Sequence, residues 1–290
     1  VTGGTGLVGA HLLLELAGSG EKLKAIYRSP NRKAFTKSLF KLHNRESDFD
    51  SIQWVKADIL DIPALEAVFE GVEYVYHCAA IVSFNPADLQ QMMKINIEGT
   101  ANMVNIALEK QVKKFCYVSS VAAIGEYVGD KCSDEEAVWQ KSKATTNYSI
   151  SKYYAENEVW RASEEGLNVV IVNPCTILGL GNWNEGSSAI FKKVHDGLRF
   201  YPTGSNSFVG VKDVVKAMIQ LMKSPIHGER YILSAEHMSF KKLLRLMAES
   251  FGKRGPTIKA SKKLAKLMAG IDSLGSMLFN KKALLTNESV

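Results

Sequence analysis

Hydrophobic positions over the first 180 residues fall into two alternating kinds of run. Short stretches that are apolar nearly throughout occur at 23–27, 52–55, 74–78, 115–119 and 169–172. Continuous apolar runs of this length suit parallel strands covered on both faces, whereas a strand with one wet face would alternate. Helix-length segments lie between them: an apolar one at 7–17, a short one at 64–70, a long one at 89–109 and one charged along one side at 151–165. Repeated strand–helix units predict an α/β fold with a doubly wound parallel sheet. Right-handed crossovers then place helices on both faces.

Past Pro174 the pattern loosens. The segment 182–188 is polar and contains glycine, and 200–206 reads as a turn-rich loop. Helical periodicity returns at 211–222 and 240–251, with a short strand at 231–233. The expected organisation is a strand–helix domain over 1–175, then a smaller C-terminal lobe over 176–290. Part of that second stretch returns to the first domain. The span 253–282 carries eight Lys/Arg residues and one acid, Asp272, and reads as a solvated, partly helical face. The opening Val1-Thr2-Gly3-Gly4 reads as the end of a first strand whose earlier residues are missing, and the final residues do not read as a natural end.

Composition narrows the class. At 290 residues, 46% hydrophobic and 23% charged, the chain is globular, which excludes a disordered or collagen-like polymer. A net charge of +6 suits an enzyme for anionic ligands about as well as a nucleic-acid binder, and the basic stretch at 253–282 holds no clean nucleic-acid motif. Cys78, Cys116, Cys132 and Cys175 are widely spaced and form no CxxC pair, which predicts a reducing, cytoplasmic setting. No apolar run approaches a membrane span and no signal peptide is evident. The six histidines form no metal-ligating pattern, so no metal is expected. His11 reads as a surface or packing residue, and His77 as a satisfied core histidine or a lining of a cofactor cleft.

The first chemical signal is Val1-Thr2-Gly3-Gly4-Thr5-Gly6-Leu7-Val8-Gly9. Both Gly4/Gly6/Gly9 and Gly3/Gly6/Gly9 give a dinucleotide spacing. One glycine permits the tight turn, one lets the backbone approach a pyrophosphate, and one lets the helix pack closely. Leu7 and Val8 open that helix, whose free N–H groups favour phosphate. The second strand ends on Tyr27-Arg28, where an acid would normally hold a ribose 2′-hydroxyl. Arg28 suits an extra 2′-phosphate instead, so NADP is preferred, with NAD as the alternative. Asp58 and Ile59 follow the third strand; Asp58 reads as an acceptor for the adenine amino group, with a helix cap as its rival. Ala79 and Ala80 follow the fourth, where small residues let the backbone approach a cofactor.

The second signal is Asn147-Tyr148-Ser149-Ile150-Ser151-Lys152. Tyr148 and Lys152 share a helix face at four-residue spacing. A neighbouring ammonium lowers the pKa of a phenol, which lets it exchange a proton with a substrate oxygen. Ser119-Ser120, at a preceding strand end, offers a hydroxyl to orient that oxygen.

Together, TGGTGLVG, YVSSVAAIG, YSISK, NPCTILG and FVGVKDVV resemble the extended short-chain dehydrogenase/reductase family over most of the chain. The resemblance implies a Rossmann domain with a small C-terminal substrate lobe. It implies a Ser–Tyr–Lys centre at Ser120, Tyr148 and Lys152, with Tyr148 as acid/base and Lys152 holding the nicotinamide ribose. By the same likeness Asn96 is the helix asparagine near the active site, and Pro174 begins the loop passing the nicotinamide carboxamide. A homodimer is common among such proteins.

Within that family Ser133-Asp134-Glu135-Glu136-Ala137-Val138-Trp139 resembles the D-E-x-x-x-W stretch of dihydroflavonol-reductase-like carbonyl reductases. Val121 and Ala122 follow Ser120 where dehydratases of the group carry an acid pair, and Asn173-Pro174 stands where epimerases commonly show Arg-Pro. The expected function is hydride transfer between NAD(P) and a carbonyl or secondary alcohol. Two alternatives are a nucleotide-sugar epimerase with tightly bound NAD and a nonenzymatic NAD(P)-binding regulatory protein. Trp183, Tyr201 and Phe208 read as pocket walls or as loop aromatics packed on the core.

Overall fold

Each apolar run of the first 180 residues becomes a strand in the computed structural model, which describes residues 1–125, 133–142 and 145–260. In chain order the elements are α1 (Leu7–Leu16), β1 (Lys24–Tyr27), α2 (Lys33–Leu42), α3 (Glu46–Ser51), β2 (Gln53–Lys56), α4 (Ile62–Phe69), β3 (Tyr74–His77), α5 (Leu89–Met93), α6 (Gly99–Glu109), β4 (Lys114–Val118), α7 (Asn147–Glu164) and β5 (Val169–Pro174). Then follow β6 (Thr176–Leu178), α8 (Ser188–His195), β7 (Phe200–Tyr201), β8 (Ser205–Gly210), α9 (Val211–Lys223), β9 (Glu229–Leu233), β10 (Glu236–Ser239), α10 (Phe240–Ser250) and β11 (Ile258–Lys259).

The strands β3, β4, β5 and β9 pair in parallel, as do β1 and β2. Val1 and Thr2 join the two groups. Thr2 N–H donates to Tyr76 O at 3.0 Å, and Ile26 N–H donates to Val1 O at 3.1 Å. The spatial order is therefore β2, β1, Val1-Thr2, β3, β4, β5, β9. The order reverses between the opening residues and β3, which is the crevice where such folds bind ligands.

Successive strand residues point to opposite faces. Phe115, Tyr117, Val169 and Ile171 pack with Val104 of α6 and with Ala155 and Val159 of α7. Cys116, Val170 and Val172 pack with Leu12 and Leu16 of α1 and with Val214 and Met218 of α9. Both faces are covered, so the strands carry no polar alternation. Burying one such side chain stabilises by about 1.5–3 kcal/mol. Lys114 is one charged residue this core admits: its Nζ donates to Leu221 O at 2.7 Å and Ser224 O at 2.8 Å, at the C-terminal end of α9.

The smaller lobe is built on β10–β8–β6 and the pair β11–β7, with α8 and α10 packed through Val194, Phe208, Leu243 and Met247. The segment 200–206 is thus not a turn-rich loop, because β7 and the start of β8 occupy it. Its polar, glycine-containing sequence concealed strands that bury few side chains. Phe208 lies in the lobe core, and Trp183 packs on His195 and Phe251. The segment 89–109 is helical but interrupted by a π turn over Lys94–Glu98, and α2 and α3 were not anticipated. Among the described residues no helix is long and apolar enough to cross a membrane. Cys132, two internal parts of the loop 125–147 and most of the basic stretch after 253 lie outside the described residues.

Candidate active site

Gly3, Gly6 and Gly9 differ in what a side chain at each would meet. Gly3 has φ +65°, and a Cβ there would lie 2.7 Å from the Cys78 carbonyl carbon. A Cβ on Gly9 would lie 2.2 Å from Gly3 O, so α1 packs on its own loop at van der Waals limit. Gly6 is exposed, and its nearest neighbour to a Cβ would be Gly3 O at 3.4 Å. Gly4 would meet only the tip of Leu13 at 2.8 Å, a flexible group. The motif is therefore read through Gly3 rather than Gly4. No side chain caps α1, which leaves the N–H groups around Leu7 and Val8 for an anion.

A polar chain fixes this loop to the end of β3. Cys78 N–H and Ala79 N–H both donate to Thr2 Oγ1 at 3.1 Å. The Thr2 proton then goes to His77 Nδ1, 2.7 Å away, so His77 carries its own proton on Nε2 and donates to Thr100 Oγ1 at 3.0 Å. Burial pushes the imidazole down to about 3, so it is neutral. His77 is a satisfied core histidine. His11 is also buried, with Nε2 2.9 Å from Leu180 O, which pins the 179–181 segment beside α1. A Cβ on Gly181 would lie 3.2 Å from Leu7 Cδ1.

On the other side of the loop, Arg28 Nη1 lies 3.8 Å from Asp58 Oδ2, with both side chains substantially exposed. Asp58 Oδ1 accepts from Leu60 N–H at 3.0 Å and shapes the turn after β2, while the neighbouring helix cap is Asp61, which accepts from Ala64 N–H at 3.2 Å. Ile59 is buried, and a Cβ on Gly99 would come within 2.4 Å of its Cδ1. Arg32 forks onto Glu185 at 2.7 and 2.6 Å, a contact the sequence did not suggest.

Ser120, Tyr148 and Lys152 converge where β4 ends against α7. Ser120 Oγ accepts from Ala122 N–H at 3.1 Å, and the Ser149 hydroxyl at the start of α7 donates to Ala122 O, which brings the Tyr148 turn against Ser120. Burial raises the Tyr148 pKa, and the Ser120 hydroxyl opposes that rise. The sequence expectation was a phenol lowered by Lys152. Lys152 instead turns toward β4, where Nζ donates to Tyr117 OH at 2.6 Å and Val118 O at 2.9 Å. Burial lowers Lys152 to about 7, while Glu156 pushes it back up.

Asn96 sits in the π turn, a feature that often marks functional positions. Its Oδ1 accepts from Ile81 N–H at 2.7 Å, and its Nδ2 donates to Ile81 O at 2.9 Å and Ser151 Oγ at 3.0 Å. With its amide so occupied, Asn96 ties the segment after Ala79 and Ala80 to α7, one turn from Tyr148. Phe84 from that segment meets the Tyr148 ring edge-on at 5.9 Å. Trp139 stacks on Tyr153 at 4.2 Å and donates to Ser149 Oγ at 3.3 Å, bringing the 133–142 loop to the same helix. Pro174 ends β5 beside Asn173, whose Nδ2 donates to Ser120 O at 3.0 Å.

The geometry can hold a dinucleotide at the glycine turn and exchange a proton with a substrate oxygen at Tyr148. The model of the family described as "NAD dependent epimerase/dehydratase family" matches residues 1–234. Sterol demethylase protein B of Methylococcus capsulatus is 30% identical over 275 residues, covering 93% of this chain and 79% of that protein. Anthocyanidin reductase of Arabidopsis thaliana is 29% identical over 276 residues, covering 87% of this chain and 80% of that protein. The crystal structure of gox2253 superposes with a TM-score of 0.78 at 27% identity, covering 100% of this chain and 85% of that one.

Proposed function

The chain belongs to the NAD-dependent epimerase/dehydratase family, and from that premise we propose that it is an NADP-preferring reductase of a small-molecule ketone or aldehyde. The observation that carries this reading is the placement of Ser120, Tyr148 and Lys152 where α7 is bonded to the end of β4, at the sheet edge that also carries the glycine turn. The likeness to a reductase at 29% identity supports net reduction over epimerisation.

Gly3, Gly6 and Gly9 would cradle the pyrophosphate: Gly6 leaves the room, and a side chain on either of the others would collide with backbone. Arg28 would meet a 2′-phosphate, since its ion-pair contact among the described residues, Asp58, is long and wet. When bound, the nicotinamide would supply the hydride. As the carbonyl carbon is reduced and its π electron pair moves to oxygen, Tyr148 would give that oxygen its proton and be left as a phenolate, to be reprotonated from solvent before the next turnover. A phenol raised by burial is protonated at neutral pH, which is the form the reduction needs. Ser120 stabilises the developing negative charge by hydrogen bonding. Lys152 is buried beside Tyr117, and an anionic cofactor favours its charged form.

The test is a paired fluorescence titration of nucleotide-stripped protein with NADPH and NADH, followed by an aldehyde and ketone screen. Exchangeable binding with NADPH preference and turnover lost by at least about 100-fold in Tyr148→Phe is expected. A retained NAD that resists stripping, with turnover of nucleotide sugars and no net reduction, would replace this reading with epimerisation. Light scattering on the same sample tests for the homodimer.

A further inference from the structure

Glu156 is buried on α7, two helical steps of four residues beyond Tyr148 and one beyond Lys152. Its Oε2 accepts from Ser119 Oγ at 2.5 Å and Asn173 Nδ2 at 2.8 Å. Its Oε1 accepts from Arg230 Nη1 at 2.9 Å and Trp160 Nε1 at 3.2 Å. Asn173 Nδ2 also donates to Ser120 O, so one amide links the carboxylate to the serine's own backbone. Arg230 continues the network: Nε donates to Glu135 O at 2.8 Å, and Nη2 also reaches Glu135 O. Glu135 Oε1 in turn accepts from Ile232 N–H at 2.8 Å. Four donors, one of them a guanidinium, satisfy the carboxylate, which is the condition for keeping a charge inside a core.

We propose that the pair of buried Glu156 and half-buried Arg230 is the positioning element of this active site, joining the ends of β4 and β5, the face of α7 and the 133–142 loop into one charged hub. The inference rests on the reading of Ser120, Tyr148 and Lys152 as the reaction centre, and it adds two residues that touch none of the reacting atoms. The carboxylate sets where Ser120 stands, through Ser119 on one side and Asn173 on the other. Arg230 holds the 133–142 loop by its backbone, which brings Trp139 against α7. A neutral residue in place of either partner leaves the other charge buried without its counterion.

The hub also acts on Lys152 through space. The groups facing that ammonium are Tyr117 of β4, Cys78 and His77 at the end of β3, and Glu156 on its own helix, with Tyr148 beyond Tyr117. His77 is neutral, and burial pushes the Cys78 thiol up to about 12 and Tyr117 well above its ordinary value. Glu156 is thus the fixed negative charge among them, and Arg230 is the cation that tempers it. Removing Glu156 disfavours the ammonium, whereas removing Arg230 favours it.

That opposition of sign supplies the test. The full chain is labelled with 13C-lysine, and the Lys152 signal is assigned by its loss in Lys152→Met. Its titration is followed by NMR in the wild type, Glu156→Gln and Arg230→Gln. The midpoint is expected to fall by about one pH unit in Glu156→Gln and to rise in Arg230→Gln. The paired variant Glu156→Gln/Arg230→Gln removes both charges together and returns the midpoint toward the wild type if a single variant fails to fold. NADPH affinity, read by fluorescence, is expected to stay within about threefold, while turnover of a carbonyl substrate drops at least about tenfold. Single-variant midpoints that move in the same direction or stay fixed, or a paired variant that turns over a carbonyl substrate as fast as the wild type, would overturn the proposal. The NMR readout needs no substrate, so opposite shifts in a protein that reduces no carbonyl would uphold the hub and remove the reductase reading alone.

Discussion

Replacing Gly6 by alanine separates cofactor binding from folding. Gly6 has φ −98° and ψ 178°, a backbone that alanine adopts freely, and its added methyl would find only Gly3 O at 3.4 Å. Stability is therefore expected to hold or to rise by up to about 1 kcal/mol, as alanine restricts the unfolded chain. The same methyl projects at the uncapped start of α1, where a pyrophosphate oxygen would approach the N–H groups. Losing or lengthening one hydrogen bond to a charged group costs about 1.5–3 kcal/mol, or roughly 10- to 150-fold in Kd. Gly9→Ala is the contrast. Its Cβ would sit 2.2 Å from Gly3 O and 2.6 Å from the Gly3 carbonyl carbon, so backbone must move by about 1 Å. Overpacking of that kind costs about 1–3 kcal/mol of stability, and affinity falls with it. Thermal melting without nucleotide and NADPH fluorescence titration measure the two quantities on the same preparations. Gly6→Ala that binds NADPH within about twofold of wild type, or that loses stability in step with affinity, would refute the assignment of Gly6 to the pyrophosphate.

Arg28→Ala is expected to weaken NADPH binding by about tenfold or more and to leave NADH binding nearly unchanged; equal losses for both would remove Arg28 from the 2′-phosphate site. His77 makes stability depend on pH. Its folded-state pKa is depressed to about 3 from 6.5, so between those values the unfolded chain binds a proton that the native chain refuses. Stability therefore falls as pH drops through that window, by up to about 1.4 kcal/mol per pH unit from this group. Denaturant unfolding from pH 7 to pH 4 is expected to show a shallower decline in His77→Gln, and an identical slope in the variant would show that His77 is not buried neutral.

The strands and the glycine turn were legible because their causes are local. Two covered faces demand continuous apolar residues, and a backbone turn with φ +65° beside Cys78 demands glycine at position 3. The spacing of Tyr148 and Lys152 correctly predicts a shared helix face, but spacing says nothing about where a long side chain ends. Nζ of Lys152 reaches Tyr117 and Val118 O on the strand below, 35 and 34 residues away in sequence. Glu156 and Arg230 were hidden for the same reason. A charged residue on a helix with acids and bases nearby reads as solvated, and the partner that makes it a core residue lies 74 positions later. Asn96 was visible only through family likeness, since a π turn leaves no periodicity signal in a segment as continuously helical as 89–109.

These misread residues account for the electrostatics of the centre. Around Ser120 and Tyr148 the ionic groups of the described hub are Lys152, Glu156 and Arg230, two cations and one anion. With Lys152 protonated the sum is +1; Lys152 and Glu156 are buried and Arg230 is half-buried. Burial by itself disfavours the ammonium, and Glu156 opposes that loss. The ammonium would be favoured further by a cofactor phosphate at the neighbouring helix start or by negative charge building on a substrate oxygen. Glu156 supports the buried lysine, and Arg230 keeps Glu156 from cancelling it. The three charges therefore stand ready for the negative charge that reduction would create, which is where preorganised electrostatics lowers a barrier.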